Sequence, residues 1–439
     1  MLNFLRKIIP QRVLLFYHWC WAVLANIIYR FPGRQLKVVG VTGTSGKTTT
    51  AILIGEVLKT AGYKVGLLTT NFVEIDKEKI RNISGFTTAG RLELQRNLRR
   101  MIKAGCEWAV IEVTSQGLVQ YRVWGIPFDL GVFTNLSHEH LDLHKTMTAY
   151  RDAKAILFKN LKNSLSKGVP KTIVANIDNK YGNYFLQFPA EQKFAFGFKE
   201  KEIKEAIGIF ATKIIPSFSG NTFQVKIKDK TENFKIPLLG RFNVYNALGA
   251  ICVGLALKID LPTIKEALKK VTLVEGRMEE ISLGQPFKVF IDYALTPDAV
   301  EKLYSSLREL TSGRIIAVFG CAGERDYLKR PIIGEIAARL VDEIILTDDE
   351  PYREDPEIII EQIKKGIRKI RADFLVIRDR RQAIKKALKM ARPSDIVIIT
   401  GLGHETVRNI GGKLIPWDDR KVTRQLLKEI LNKKEKENA

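Results

Sequence analysis

The strongest constraint on this chain is a glycine-rich loop set between an apolar strand and a helix. Residues 37–41 (Lys-Val-Val-Gly-Val) read as a buried strand. Thr42-Gly43-Thr44-Ser45-Gly46-Lys47-Thr48-Thr49-Thr50 follows at once and opens a helix expected over residues 48–61. Glycines in such a turn let backbone N–H groups approach phosphate oxygens, and the helix N-terminus adds a favourable dipole. Lys47 is then placed for the β- and γ-phosphates of a nucleotide, and the Thr48 hydroxyl for Mg²⁺. A strict phosphate loop wants glycine at position 41, where this chain has valine, so the loop is a modified form. The alternative, a glycine-rich turn that holds no nucleotide, is disfavoured by the strand–loop–helix context.

The alternation continues downstream. Residues 64–69, 108–113 and 129–135 are further apolar strand candidates separated by helical stretches, which predicts a parallel α/β sheet. Residues 160–240 carry more charge and shorter strands, at 171–175 and 222–227, and read as an appended subdomain with antiparallel pieces. A second α/β pattern starts near 285, with strands at 288–292, 314–319, 343–347, 374–377 and 396–400. The expected organisation has three parts. A hydrophobic, amphipathic helix occupies residues 1–36. A P-loop-type central ATPase domain with a parallel sheet covers 37–277. A C-terminal doubly wound, Rossmann-like domain covers 278–439.

Composition sets the outer limits. A chain of 439 residues is too long for one ordinary domain, and 45% hydrophobic residues suffice for substantial cores. Cys20, Cys106, Cys252 and Cys321 are scattered with no CxxC pair, so a zinc ribbon or disulfide framework is not supported and a reducing cytoplasm fits. The net charge of +23 favours anionic partners. No helix-turn-helix, zinc finger or aromatic RNA-binding pattern accompanies it, so small molecules are expected rather than nucleic acid. At the N-terminus, Arg6, Lys7 and Arg12 precede an apolar run over 13–29 broken only by His18 and Asn26. That run is at the short edge of a membrane span. Tyr17, Trp19 and Trp21 with basic flanks suit a helix lying in the membrane interface, and a helix packed on the protein body is the competing reading. A cytoplasmic monomer with peripheral membrane contact through residues 1–34 is the resulting expectation.

His138, His140 and His144 lie close together after the strand ending Phe133-Thr134-Asn135. The spacing of His140 and His144 allows a zinc reading, but no HExxH occurs. The cluster sits at a strand's C-terminal end, where α/β sheets bind ligands, so a Mg²⁺ role beside the phosphates fits better. Histidines bonded to loop backbone are the bland alternative. Glu112 ends another strand and would bring an oxygen ligand to the same edge.

Together these segments resemble the Mur ligases, most closely the UDP-N-acetylmuramoyl-tripeptide synthetases. The resemblance runs over residues 37–428 and rests on the loop, EVTSQGL (112–118), FTNLSHEHLDLH (133–144), YRDAKAILF (150–158), GRFNVYNALGA (240–250), EGRMEEI (275–281), DYALTPDAVEKL (292–303) and FGCAGERDYLKRP (319–331). It implies an ATP- and Mg²⁺-dependent ligase that adds an amino acid to a UDP-N-acetylmuramoyl-peptide in peptidoglycan synthesis. Gly43, Thr44, Ser45, Gly46, Lys47, Thr48 and Thr49 would hold the nucleotide phosphates. Asn243 and Asn246 would lie at the adenine, Asp292 at the ribose, and Arg277 and Lys329 would position nucleotide or phosphate. Thr48, Glu112, His140 and a carbamylated Lys154 would hold Mg²⁺, with Lys47, Lys154 and His140 catalytic. Spacing alone would leave Lys154 a surface helix lysine. Thr87, Thr88, Ser115 and Arg122 match positions that hold the muramyl peptide, and Asp349, Glu350, Tyr352, Gly403 and Glu405 match the acceptor side.

Some features depart from the family. Residues 1–36 are too few for the uridine-binding domain that the resemblance implies, so uridine recognition is expected to differ. Leu295 replaces the histidine of DYAHTP, and GKGHE reads Gly401-Leu402-Gly403-His404-Glu405. The DNPR motif of diaminopimelate-adding members reads Asp349-Glu350-Pro351-Tyr352, followed by Arg353. Tyr352 offers no fork for a carboxylate and Glu350 favours a cation, so a basic acceptor such as lysine is expected. A one-residue shift could bring Arg353 into the missing arginine's place. Folylpolyglutamate synthases share the loop and are the alternative within this chemistry. A non-catalytic, membrane-tethered nucleotide module is the alternative outside it.

Overall fold

The computed structural model describes residues 10–82, 86–139 and 141–438. The strands of the first half are β1 (Lys37–Thr42), β2 (Val65–Leu68), β3 (Phe72–Ile75), β4 (Glu78–Arg81), β5 (Trp108–Glu112), β6 (Leu130–Phe133), β7 (Thr172–Asn176), β8 (Gln192–Gly197), β9 (Ile207–Ser217), β10 (Gly220–Ile227) and β11 (Lys230–Ile236). Among the described residues they form one sheet in the order β11-β10-β9-β8-β7-β6-β1-β5-β2-β3-β4. Pairing is parallel from β2 through β5, β1, β6, β7 and β8 to β9, and antiparallel at both margins.

Central parallel strands are covered on both faces, which is why β1, β5 and β6 read as nearly unbroken apolar runs. One face packs Val39, Val41 and Val110 against Leu53, Val57, Ala247 and Ile251. The other packs Val38, Ala109, Ile111 and Phe133 against Tyr150, Leu157 and Phe158. Residues 160–240 do not form the appended subdomain expected from their charge. Their strands extend this same sheet, because β7 pairs in parallel with β6 and carries β8 to β11 outward.

The second half contributes β12 (Glu279–Glu280), β13 (Lys288–Asp292), β14 (Ile315–Phe319), β15 (Glu343–Leu346), β16 (Leu375–Val376) and β17 (Ile396–Thr400), with a hairpin of β18 (Val407–Ile410) and β19 (Lys413–Pro416). The sheet order is β12-β13-β17-β14-β15-β16, parallel except at β12. It has a separate core on each face. Polar contacts join the two halves: Asn71 Nδ2 donates to Glu275 O at 2.9 Å, Arg81 donates to His404 O, and His138 Nε2 lies 3.1 Å from Asp326.

The helix Gln11–Ile28 precedes the first sheet and packs beside the helix Arg91–Lys103. Among the described residues no helix is long and apolar enough to cross a membrane. The chain between this helix and β1 is tied down through Asp129, whose side chain is fully buried. Its Oδ2 accepts from Val38 N at 2.7 Å and lies 2.7 Å from Lys167 Nζ, while Oδ1 accepts from Lys171 Nζ at 2.8 Å. Lys167 Nζ also donates to Leu36 O and Pro127 O. Asp129→Ala leaves two buried ammonium groups without their carboxylate, so a loss of about 3–5 kcal/mol is expected in denaturant unfolding. A loss below about 1 kcal/mol, the range of a surface pair, would show that water reaches these lysines.

Candidate active site

Strand order reverses around β1: the chain runs from β1 to β2 and β5 on one side and then to β6 on the other. In open α/β sheets the crevice at such a point, outside the carboxyl ends of the strands, is where ligands bind. The glycine loop leaves β1 there, Glu112 ends β5, and residues 134–139 leave β6. Val41 is in register with Glu112, and Thr42 with Phe133.

Asn135 shapes the loop. Its backbone carbonyl accepts from Thr44 N at 2.9 Å, its Oδ1 from Ser45 N at 2.9 Å, and its Nδ2 donates to Ser45 O at 2.9 Å. Thr134 Oγ1 donates to the same Ser45 carbonyl at 2.7 Å. Gly46 has φ +82°, and a Cβ there would lie 2.4 Å from Asn246 Oδ1. That closeness seats Asn246 on the loop. Asn246 Oδ1 also accepts from Thr50 Oγ1 at 3.2 Å, and its Nδ2 donates to Asn243 Oδ1 at 2.8 Å. Both asparagines expected at the adenine therefore stand beside the loop. Thr44 meets Tyr150, and Thr49 is buried in the first turn of the helix Lys47–Thr60.

Two lysines converge on one carbonyl. Lys47 Nζ donates to Gly43 O at 3.0 Å and to Thr44 O at 2.8 Å, and Lys154 Nζ donates to Gly43 O at 2.8 Å. Burial lowers both ammonium pKa values, Lys154 well below its ordinary value, where Lys47 pushes it further down. Glu112 and Glu139 partly offset this for Lys47, while Arg277 approaches closely enough to add to it. The Glu112 carboxylate is fully buried and accepts from Thr70 N at 2.9 Å, Thr70 Oγ1 at 3.0 Å and the Thr48 hydroxyl. Burial raises its pKa and Lys47 pulls it back. Thr48 and Glu112 are hard oxygen donors of the kind Mg²⁺ takes. His140 lies outside the described residues. His138 is engaged with Asp326, and His144 Nε2 lies 2.9 Å from Ser115 Oγ.

Beyond Glu112 the four residues expected at the muramyl peptide gather at one edge. Thr88 Oγ1 donates to Glu112 O at 3.0 Å and accepts from Thr114 N at 2.9 Å. Arg122 Nη1 donates to Thr88 O at 2.7 Å, and Thr87 is half-buried beside it. Burial, with Arg91 nearby, lowers the Arg122 pKa to about 10.

In the second half, Asp292 ends β13 and accepts from Met278 N at 2.7 Å. Burial raises its pKa to about 6 against the pull of Arg277. Arg277 lies over the Tyr293 ring at 4.7 Å. Lys329 is buried, and its charge acts on Cys321 and Asp349. Asp349, Glu350 and Glu405 are carboxylates close enough to act on one another, and burial raises the pKa of each, Glu350 to about 7. Gly403 has φ +50° and lies against Tyr293. Tyr352 has φ +53°, and its hydroxyl meets Arg325 Nη2 at 3.1 Å. The Arg353 guanidinium lies instead beside Gly412 in the turn between β18 and β19.

Residues 41–254 match the Mur ligase middle domain, and residues 276–403 match the Mur ligase, glutamate ligase domain. The chain is 40% identical over 415 residues to UDP-N-acetylmuramoyl-L-alanyl-D-glutamate–2,6-diaminopimelate ligase of Caldanaerobacter subterraneus, covering 93% of this chain and 81% of that protein. The chain belongs to the Mur ligase family. It is an ATP-dependent amide ligase of that family, whose members use Mg²⁺. A similarly named ligase of Clostridium acetobutylicum is 39% identical, covering 93% and 82% of the two chains. A solved structure of a UDP-N-acetylmuramoyl-L-alanyl-D-glutamate–2,6-diaminopimelate ligase superposes on the Mur ligase described here with TM-score 0.61 at 32% identity, over 90% of this chain and 78% of that one. Mycobacterium tuberculosis folylpolyglutamate synthase superposes with TM-score 0.69 at 15% identity, over 87% and 92%, and shares the fold.

Three residues absent from the sequence-based set stand out in this Mur ligase. Asn135 builds the loop, Glu139 acts electrostatically on both loop lysines, and Arg325 places a guanidinium among the acceptor-side carboxylates. Each sits one to four residues from a position that was singled out, so only geometry separates them from their neighbours. Lys47→Ala removes the ammonium at the loop, and kcat is expected to fall by about 10²–10³ or more in an ADP-release assay. Near-normal turnover of the purified variant would remove Lys47 from the phosphoryl-transfer site.

Proposed function

We propose that this Mur ligase adds an amino acid to a UDP-N-acetylmuramoyl-peptide, releasing ADP and phosphate. The observation that carries this reading is the meeting of the loop lysines and Glu112 with the Thr88–Arg122 edge: phosphate-binding and peptide-holding groups share one strand end. The names of the relatives, which specify a UDP-N-acetylmuramoyl dipeptide, support it. A substrate carboxylate oxygen attacks the γ-phosphorus of ATP, ADP leaves, and an acyl phosphate results. The uncharged amine of the acceptor then attacks the acyl carbon and expels phosphate. Lys47, with Arg277 approaching it, neutralises the transferring phosphoryl group, and Asn243, Asn246 and Asp292 position the nucleoside. Thr48, Glu112 and His140 are the proposed Mg²⁺ ligands, and the bound ion supplies charge neutralisation at the phosphates. A monomer is proposed with it. Peripheral contact of residues 1–34 with the inner membrane face belongs to the same reading of a cytoplasmic enzyme.

Lys154 is proposed to carry a carbamate. An ammonium cannot ligate a cation, but CO₂ adds to an uncharged amine, losing a proton, to give an anionic oxygen donor. Burial holds Lys154 toward the uncharged form that this addition needs. Lys154→Ala is expected to lose most activity, with partial recovery on adding small carboxylic acids. Mass analysis of the native protein showing only unmodified lysine under bicarbonate would count against the carbamate.

The acceptor is proposed to be lysine or a similar basic amino acid. Glu350 and Glu405 offer negative charge to a distal ammonium, and Arg325 offers a fork to the α-carboxylate. Diaminopimelate is the second reading, favoured by the relatives' names and by the same Arg325, which could take its distal carboxylate. Phosphate release from ATP with UDP-muramyl-dipeptide and competing amino acids tests both. L-lysine is expected to win over meso-diaminopimelate. Glu350 is charged above its pKa of about 7, so the KM for lysine is expected to rise as pH falls through that value. The rise should vanish in Glu350→Gln. A clear preference for meso-diaminopimelate overturns the lysine reading.

A further inference from the structure

The helix Gln11–Ile28 is built inside out for a helix on a soluble protein. A surface helix normally turns its apolar stripe toward the core. Here Val13, Phe16, Tyr17, Leu24, Ile27 and Ile28 are exposed, Phe16 by 64% and Ile27 by 57%. Their spacing follows the helical repeat, with exposed Cys20 filling the middle, so they form one continuous outward stripe. The buried side carries Ala22, Ala25 and Asn26 instead.

The seat of this helix is specific. Asn26 Nδ2 donates to Trp124 O at 2.9 Å and lies against the backbone of Gly125, and Trp19 meets Trp124 edge-on at 6.2 Å. That turn contains Arg122, which holds Thr88 O and the Gln120 side chain. Arg91 reaches the Gln120 carbonyl from the other side and feels the Tyr17 hydroxyl. A surface hollow of about 420 Å³ opens between Arg12, Leu15, Phe16, Trp19 and Tyr121, next to Arg122 in the chain. The exposed stripe and the edge proposed for the muramyl peptide are thus two sides of one turn.

Charge selects the occupant. Residues 1–55 contain no aspartate or glutamate, and Arg12, Arg30 and Arg34 flank the stripe. An apolar, aromatic stripe with purely basic flanks matches the interface of an anionic phospholipid bilayer, where acyl chains take the stripe and phosphates take the arginines.

We infer that the Gln11–Ile28 helix lies in an anionic membrane surface and that the muramyl peptide is taken there on a membrane lipid diphosphate as well as on the UDP carrier. The inference rests on the reading of Thr88, Ser115 and Arg122 as the muramyl-peptide edge and extends it at one point, a second carrier. The chemistry permits either carrier. The amide forms at the peptide's carboxylate and no bond to the carrier is made or broken, so the carrier affects binding alone. Docking places the Arg122 edge at the bilayer surface, where such a substrate is concentrated. Arg12, lining the hollow, supplies a cation for its diphosphate.

The full-length enzyme is compared on the same muramyl dipeptide in two forms: linked to UDP in solution, and linked to a polyprenyl diphosphate in vesicles containing phosphatidylglycerol. The enzyme is expected to float with these vesicles and to be released by salt. Its kcat/KM for the lipid-linked form is expected to exceed that for the UDP form by at least about tenfold. The double variant Phe16→Asp, Ile27→Asp changes only exposed side chains. It is expected to keep its melting temperature within a few degrees while losing flotation and about tenfold or more of the lipid-linked turnover. Equal or better use of the UDP form, no flotation of the wild type, or undiminished lipid-linked turnover by the non-floating variant overturns the inference. Turnover of neither form overturns the muramyl reading itself, and is distinguishable from turnover of the UDP form alone.

Discussion

Two buried lysines, Lys47 and Lys154, share the carbonyl oxygen of Gly43 as their hydrogen-bond acceptor. Bringing two like charges to one oxygen away from water is unfavourable unless anions face them: burial lowers the pKa of each lysine, and Lys47 lowers that of Lys154 further. Glu112 and Glu139 offset it at Lys47, and Glu139 does so at Lys154. The surrounding architecture holds this arrangement in place. Asn135 clamps the loop from β6, Asn246 caps Gly46 from the helix Phe242–Ala256, and Glu112 closes the site from β5. Three neighbouring parallel strands therefore deliver a cationic cradle, the place proposed for the nucleotide phosphates.

The side proposed for the acceptor carries the opposite sign. Asp349, Glu350 and Glu405 crowd together in the second half, and burial raises the pKa of each against the pull of nearby cations. Arg325 pulls Glu350 back, Arg380 and Arg408 pull Asp349 back, and Arg81 and Arg277 do so for Glu405. A cationic loop and an anionic pocket on two sheets suit a reaction that joins an ATP-activated carboxylate to an amine. Arg277 links them physically, lying over Tyr293, pulling on Asp292 and reaching toward Lys47.

The parts of the fold that were legible in the sequence share one property: a local pattern determines them. The loop between β1 and its helix reads from glycine and threonine spacing, and the buried strands β13 and β17 read from unbroken apolar runs at their observed bounds. Residues 160–240 misled because exposed margins are charged. Lys171, Lys193 and Lys226 interrupt the pattern, yet each has a carboxylate partner in the folded chain. Within the site, Glu112 follows from its place at a strand end. Lys154 does not, since a lysine in a helix reads as solvent-facing and only the approach of that helix to Gly43 buries it. Arg353 looked able to replace a missing fork, but the left-handed turn at Tyr352 sends it to Gly412 and leaves Arg325 in the pocket.

The sequence by itself determined the phosphate loop, the two α/β halves and the family, because each depends on residues adjacent in the chain or on motifs in fixed order. Tertiary structure alone decided which charges meet. Coulomb interactions and burial depend on distances between residues far apart in sequence, such as Lys154 and Gly43 or Glu350 and Asn409. It also decided which face of the first helix is left outward. Apolar periodicity gives a stripe, but whether that stripe meets the protein or the surroundings is settled by the seat that Asn26 and Trp19 find on the turn around Trp124.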